Sequence, residues 1–149
     1  MSTPRRVSES VVVSASPDAV FALLADPRRH AEFDGSGTVR TAVSGPDRLA
    51  LGATFGMDMR WGLPYRIRNT VVEFEENRRI GWRHFGRHIW RYELEPIPGG
   101  TRVTETFDYG PSPAAGLLET LKAPQRNLRS IHATLARLGT IFGTPAAQS

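Results

Sequence analysis

Cysteine is absent from the 149 residues, so disulfides and thiolate chemistry are excluded and a reducing cytoplasm is the expected compartment. Lysine is nearly absent as well: of 19 basic residues only Lys122 is a lysine. Long apolar runs are missing. Arg5, Arg6, Glu9, the serines and Pro17-Asp18 interrupt the N-terminal valines, so neither a signal peptide nor a membrane span is expected. The chain also lacks a Walker loop, a G-x-S-x-G elbow and a dinucleotide fingerprint. Gly35-Ser36-Gly37 reads as a flexible turn, and no cofactor is expected.

What is present suffices for one domain, 1–149, with a core that needs no staples. The net charge of +4 has two readings, a coding bias toward arginine or an anionic partner. The arginines are scattered rather than clustered, which favours the first and argues against nucleic acid.

The most regular stretch is Ser112 to Phe142. Leu121, Leu128, Ile131, Leu135, Leu138 and Phe142 recur at helical spacing and form one apolar stripe, while Arg126, Arg129 and Arg137 fall away from it. Pro124 interrupts this stretch, because a proline inside a helix removes a backbone bond and costs about 3 kcal/mol. Either the helix restarts at Pro124 or one helix continues with a kink. Ala123 offers no side-chain acceptor as an N-cap, which favours the kink. Such a kink lets Leu117, Leu118 and Leu121 swing over whatever the helix covers.

Ahead of that helix, Arg6–Ser14 alternates around valines and reads as a strand. Ser16-Pro17-Asp18 is a helix start, with Val20, Phe21 and Leu24 as its apolar face. Asp26-Pro27 ends that helix and caps a second short one through Phe33. Six strands follow with period-two patterning: Val39–Val43, Ala53–Arg60, Tyr65–Glu75, Arg79–His84, His88–Glu95 and Thr101–Tyr109. Pro98-Gly99-Gly100 marks a hairpin. In the third of these, Tyr65, Ile67, Asn69 and Val71 share one face but Phe74 the other, which predicts a bulge near Thr70–Val72.

The fold class is therefore α+β, a twisted antiparallel sheet packed on a long C-terminal helix. One helix covers only part of a concave sheet. The inward residues Phe55, Met57, Trp82, Trp90, Tyr92 and Phe107 line what remains, so a pocket for a small, mostly apolar molecule is expected. Trp61 and Tyr65 add to an aromatic lining that is either ligand contact or plain core, and Met57 and Met59 are adaptable lining or gap-filling core. Leu128 and Ile131 of the helix stripe face the same interior.

The segment Ser14-Ala15-Ser16-Pro17-Asp18-Ala19-Val20-Phe21-Ala22-Leu23-Leu24-Ala25-Asp26-Pro27 resembles the opening of the START-like (SRPBCC) superfamily, in its polyketide cyclase/dehydrase and lipid-transport branch. Val71-Val72-Glu73-Phe74-Glu75-Glu76-Asn77-Arg78-Arg79-Ile80-Gly81-Trp82 and Trp90-Arg91-Tyr92-Glu93-Leu94-Glu95-Pro96, followed by Gly99-Gly100-Thr101-Arg102-Val103-Thr104, extend the resemblance over nearly the whole chain. It implies a helix-grip fold with a ligand cavity between sheet and helix. Tryptophan is common in that family near the positions of His30 and Phe33; its absence here implies a different pocket mouth or ligand shape. Fold alone leaves the activity open.

Among polar residues of inward parity, Glu105 lies between Val103 and Phe107. It either pairs with an arginine or an open cavity, or sits buried, with its pKa raised, to orient a ligand or move a proton. Asn69 either contacts a ligand or satisfies backbone at the bulge. His84 follows Ile80 and Trp82 inward near a strand end. His84 and His88 stand four apart but flank a hairpin, so no metal site is expected, and His132 reads as a flank residue. Arg66 and Arg68 point outward if Tyr65 and Ile67 point inward.

Three functions fit. The first is a binder, carrier or sensor of a small hydrophobic molecule: a lipid, polyketide or aromatic metabolite. The second is a polyketide aromatase/cyclase with Glu105 and Tyr65 or Arg66 as acid/base groups, which leaves enzyme status open. The third, an interaction protein using Arg83, Arg91 and Arg102 on the outer face, ranks last because Glu73, Glu75, Glu93 and Glu95 dilute the field. Oligomeric state is not legible.

Overall fold

The computed structural model describes residues 5–35, 39–61, 63–83 and 87–145; for 39–44, 57–61 and 63–66 the description is of backbone alone. In chain order the elements are β1 (Arg6–Val13), α1 (Pro17–Leu24), a 3-10 turn (Pro27–Arg29), α2 (His30–Phe33), β2 (Val39–Ser44) and β3 (Thr54–Trp61). There follow β4 (Leu63–Glu75), β5 (Arg79–Arg83), β6 (Ile89–Ile97), β7 (Gly100–Asp108), α3 (Ala115–Thr120) and α4 (Ala123–Phe142). The strands form one antiparallel sheet in the order β1-β7-β6-β5-β4-β3-β2. The two short helices carry the chain from one sheet edge to the other, and the remaining strands return by adjacent pairing. This is the helix-grip fold.

Local chemistry sets the element boundaries. Ser16 is extended at φ −71°, ψ 155°, and Pro17 takes the first helical position of α1, where its missing N–H has no helical partner to lose. Asp26 accepts a hydrogen bond from the Arg28 amide (3.0 Å) and starts the turn into α2. The predicted bulge is present: Val71 faces Trp82 but Glu73 faces Gly81, which leaves Val72 as the extra residue. Asn69 and Val71 are therefore buried before the bulge, and Phe74 turns onto Phe21 after it, ring edge to face at 5.4 Å.

The C-terminal stretch differs from the expected kinked helix. It is two helices, with Lys122 at φ 60° between them. The Leu121 and Lys122 amides close α3 onto the Leu117 and Glu119 carbonyls, and α4 begins anew at Ala123 with Pro124 in its first turn. A proline there forfeits no internal bond, so the left-handed lysine carries the break without any N-cap side chain. The apolar stripe is correspondingly shorter. Leu121 is 57% exposed and Leu117 is exposed with it, whereas Leu118 packs on the core and Ile131, Leu135 and Leu138 are buried. Leu128 is half-buried.

Two different lids cover the inner face. Helix α4 lies on β1 and β7 and also touches α2 and α3; its Ile131, Leu135 and Leu138 join Val7, Val11, Val13 and Val103 in an aliphatic half. Over the middle of the sheet, α1 and α2 supply Phe21, His30 and Phe33. The lids meet where the Gly35 amide donates to Thr134 Oγ1 (2.7 Å) and Arg137 Nη1 donates to the Asp34 carbonyl. Gly35 is required there, because a Cβ would come within 2.4 Å of the Thr134 nitrogen.

Candidate functional site

Under α2 the interior is aromatic. The His30 ring stacks on Trp82 (centroids 4.8 Å, planes 22° apart) and stands edge-on to Phe33 and Phe55, both at 5.2 Å. Tyr92 closes the group, 5.6 Å from Trp82 and 6.1 Å from Phe33. Four elements supply these rings: α2, β3, β5 and β6. His30 Nε2 donates to the Leu24 carbonyl (2.9 Å), which assigns the proton to that nitrogen because a carbonyl can only accept. Burial holds its pKa down at about 4, against the opposing pull of the Leu24 carbonyl and the Asp26 charge, so the ring is neutral at neutral pH.

Glu105 stands at the boundary between the aromatic and aliphatic halves. It is 3% exposed, between buried Val103 and Phe107, and opposite Tyr92 on β6. The Tyr92 hydroxyl donates to Oε2 (2.9 Å), and among the described residues Oε1 has no partner. No arginine, lysine or histidine forms an ion pair with it among the described residues. Burial pushes the carboxyl well above its ordinary pKa; the Tyr92 hydrogen bond opposes this and the Asp34 charge adds to it. Burial, with the Glu105 charge next, likewise raises Tyr92. Burial thus favours the neutral form of both groups, and the site is an acid–phenol pair in apolar walls.

Several of the expected lining residues are buried side chains of the core. Phe33, Phe55, Trp82, Tyr92, Glu105, Phe107 and Asn69 are buried, as is Ile131 on α4. Trp90 is half-buried and packs tilted against Phe107 (centroids 4.9 Å, planes 43° apart) in a second aromatic group that includes His88 and Tyr109. Leu128 is half-buried on α4. His84 and the side chains of Met57, Met59, Trp61, Tyr65 and Arg66 lie outside the described residues. Sequence reasoning missed two features, His30 as a core ring and Tyr92 as the partner of Glu105. Their signals are the i, i+3 spacing of His30 and Phe33 on one short helix and the shared inward parity of Tyr92 and Glu105 on neighbouring strands.

The outer face is organised differently. Arg91 grips Glu73 with two hydrogen bonds (2.5 and 2.7 Å) and reaches Asp108 at 3.4 Å. Gly81 lies between them on β5, where a Cβ would come within 3.2 Å of Glu73 Oε1. The Arg91 hydrogen bond holds Glu73 below the usual carboxylate range. Arg79 pairs with Glu93 and Arg102 with Glu95. A surface depression of about 230 Å³ on this side is lined by Glu75, Arg78, Arg79, Glu93, Leu94, Glu95 and Thr104. Among the described residues no three carboxylate, histidine or cysteine side chains are placed to hold a metal ion, and no helix is long and apolar enough to cross a membrane.

The model of the family "Polyketide cyclase / dehydrase and lipid transport" matches residues 4–143, so the chain belongs to that family. It is 46% identical over 144 residues to an uncharacterized protein, Rv0088, of Mycobacterium tuberculosis, covering 91% of this chain and 63% of that one. The chain thus spans 63% of the length of the curated relatives it matches. Among solved structures it is similar to a Rhodobacter sphaeroides protein (TM-score 0.68, 16% identity, 91% and 90% of the two chains). It is also similar to an AHSA1-like protein from Aeromonas hydrophila (TM-score 0.65, 18% identity, 97% and 98%). At these identities the structural likeness speaks for the fold.

Proposed function

We propose that this member of the family binds a small, mostly hydrophobic molecule between its sheet and its helices, as a carrier or sensor. One observation carries the reading: a continuous cluster of large rings lies between α2 and the sheet, His30 and Phe33 from α2 with Phe55, Trp82 and Tyr92 from the strands, while α4 packs on β1 and β7. Aromatic walls with one or two polar groups are what small apolar ligands use for affinity and orientation. A lipid, a polyketide or an aromatic metabolite fits this description.

Native mass spectrometry of the protein purified from its own host, with a thermal-shift panel of lipids and aromatics, tests the reading. A retained non-protein mass or a ligand-dependent rise in Tm is expected. Failure of every apolar compound to stabilise the fold would count against it.

A specific observation favours a second reading, polyketide aromatase/cyclase. Glu105 and Tyr92 are two proton-bearing groups in contact within apolar walls, and such a pair can move protons while the pocket holds a reactive chain in place. Tyr92 takes the role earlier given to Tyr65 or Arg66. On this reading, adding the protein to a polyketide synthase changes the product ratio and Glu105→Gln abolishes the change; identical products in all cases would remove it.

A further inference from the structure

We infer that the interior selects neutral ligands that present one accepting oxygen, such as a ketone, ester or hydroxyl oxygen, to Glu105 Oε1. The inference rests on the reading above that a small apolar molecule enters the interior. Its basis is the division of labour within one carboxyl group. Oε2 accepts the Tyr92 hydroxyl hydrogen at 2.9 Å, so the acid proton belongs on Oε1, which has no acceptor within reach among the described residues. A buried donor left without an acceptor is costly, and a ligand oxygen set against it recovers the lost hydrogen bond.

The same surroundings exclude charged ligands. Among the described residues no cation pairs with Glu105 to receive a carboxylate, and the Asp34 charge bears on the pair as well. An ammonium group would have to ionise Glu105, and both charges would then lose their water. A plain hydrocarbon fits the walls but leaves Oε1 as it is. A ketone on a flat apolar skeleton satisfies both requirements.

A matched naphthalene series tests this by calorimetry or ligand-observed NMR: 2-acetylnaphthalene, 2-ethylnaphthalene, 2-naphthoate and 1-(2-naphthyl)ethylamine. The ketone is expected to bind wild type about tenfold tighter than the ethyl compound, equivalent to about 1.4 kcal/mol, with the two charged compounds weakest. Glu105→Gln keeps a donor at this position and an acceptor for Tyr92, so it should keep the preference, while Glu105→Leu should bring the two Kd values together. Equal binding of ketone and hydrocarbon in wild type, or tightest binding of the acid or the amine, overturns the inference but leaves the hydrophobic-ligand reading standing. Absence of binding by the whole series counts against both. The wild-type series and Glu105→Gln decide the matter even if Glu105→Leu fails to fold.

Discussion

Glu73 and Glu105 occupy opposite faces of one sheet and have opposite protonation behaviour. Glu73, on the outer face, is held ionised by a two-pronged arginine, while Glu105, on the inner face, is pushed toward the neutral acid by burial without a cation. Burial raises both, yet among the described residues only Glu73 has an oppositely charged partner within reach. Gly81 explains that difference. With no side chain on β5 at that point, Arg91 on β6 can span to Glu73 on β4. The inner face offers Glu105 a phenol instead, which donates a hydrogen bond but no charge. The outer face is thus a set of closed ion pairs, and the inner face keeps one open hydrogen-bond position.

The largest test of this contrast is Glu105→Gln followed against pH. In the unfolded chain the carboxyl ionises near 4.5, whereas in the fold it stays protonated well above that. Between those two values the folded state holds the extra proton, so wild-type stability falls as pH rises. Each pH unit in that window is worth about 1.4 kcal/mol. Glutamine has no proton to keep. The variant should match wild type within about 1 kcal/mol near pH 4.5 and become the more stable protein as pH climbs through neutrality, measured by urea denaturation. A variant that is less stable at pH 8 would mean that the fold does not raise the Glu105 pKa, and the contrast with Glu73 would collapse.

That inward Glu105 could be read from the alternation of β7, because strand parity fixes which side a residue faces. The sheet, the bulge after Val71 and the burial of Asn69 followed from the same rule. Its partner was less legible: parity puts Tyr92 on the right side, but the Tyr92–Glu105 contact depends on the β6–β7 register, which alternation does not set. The break at Lys122 failed for another reason. Left-handed backbone is anticipated at glycine or asparagine, and a lysine in that conformation gives no warning. His30 was tied to a pocket mouth by the family resemblance alone, and only the packed rings around it show it as a core ring.

His30 gives the next effect in size and extends the comparison to a base. The unfolded histidine takes up a proton near 6.5, but the buried ring does so only near 4. In this case the unfolded state binds the extra proton, so stability is retained above 6.5 and lost as pH falls toward 4, by about 3 kcal/mol in all. Glu105 and His30 therefore slope in opposite directions from the same cause, the exclusion of charge from the inner face. His30→Gln can still donate to the Leu24 carbonyl and does not titrate. Subtracting its stability curve from that of wild type should isolate the acid-side loss, and a difference independent of pH would place a protonated ring in the fold.

The smaller effects belong to the outer face, where the ion pairs differ in how wet they are. Arg91 is 15% exposed and Glu73 24%, whereas Arg102 and Glu95 are 46% and 65% exposed. Arg91→Ala strips Glu73 of its two hydrogen bonds and leaves Asp108 with the Gly110 amide, neither carboxylate being fully solvated. It should cost about 2 kcal/mol, less than for a fully buried pair because these groups keep some water. Arg102→Ala removes a pair that water and salt already screen, so about 0.5 kcal/mol or less is expected. Repeating both measurements at 1 M salt, where the screening length is about 3 Å, should erase the Arg102 effect and leave most of the Arg91 effect. If both variants lose the same amount at both salt concentrations, the grip of Arg91 through the gap at Gly81 contributes nothing beyond an ordinary surface pair. The opposite fates of Glu73 and Glu105 would then need a cause other than access to a cation.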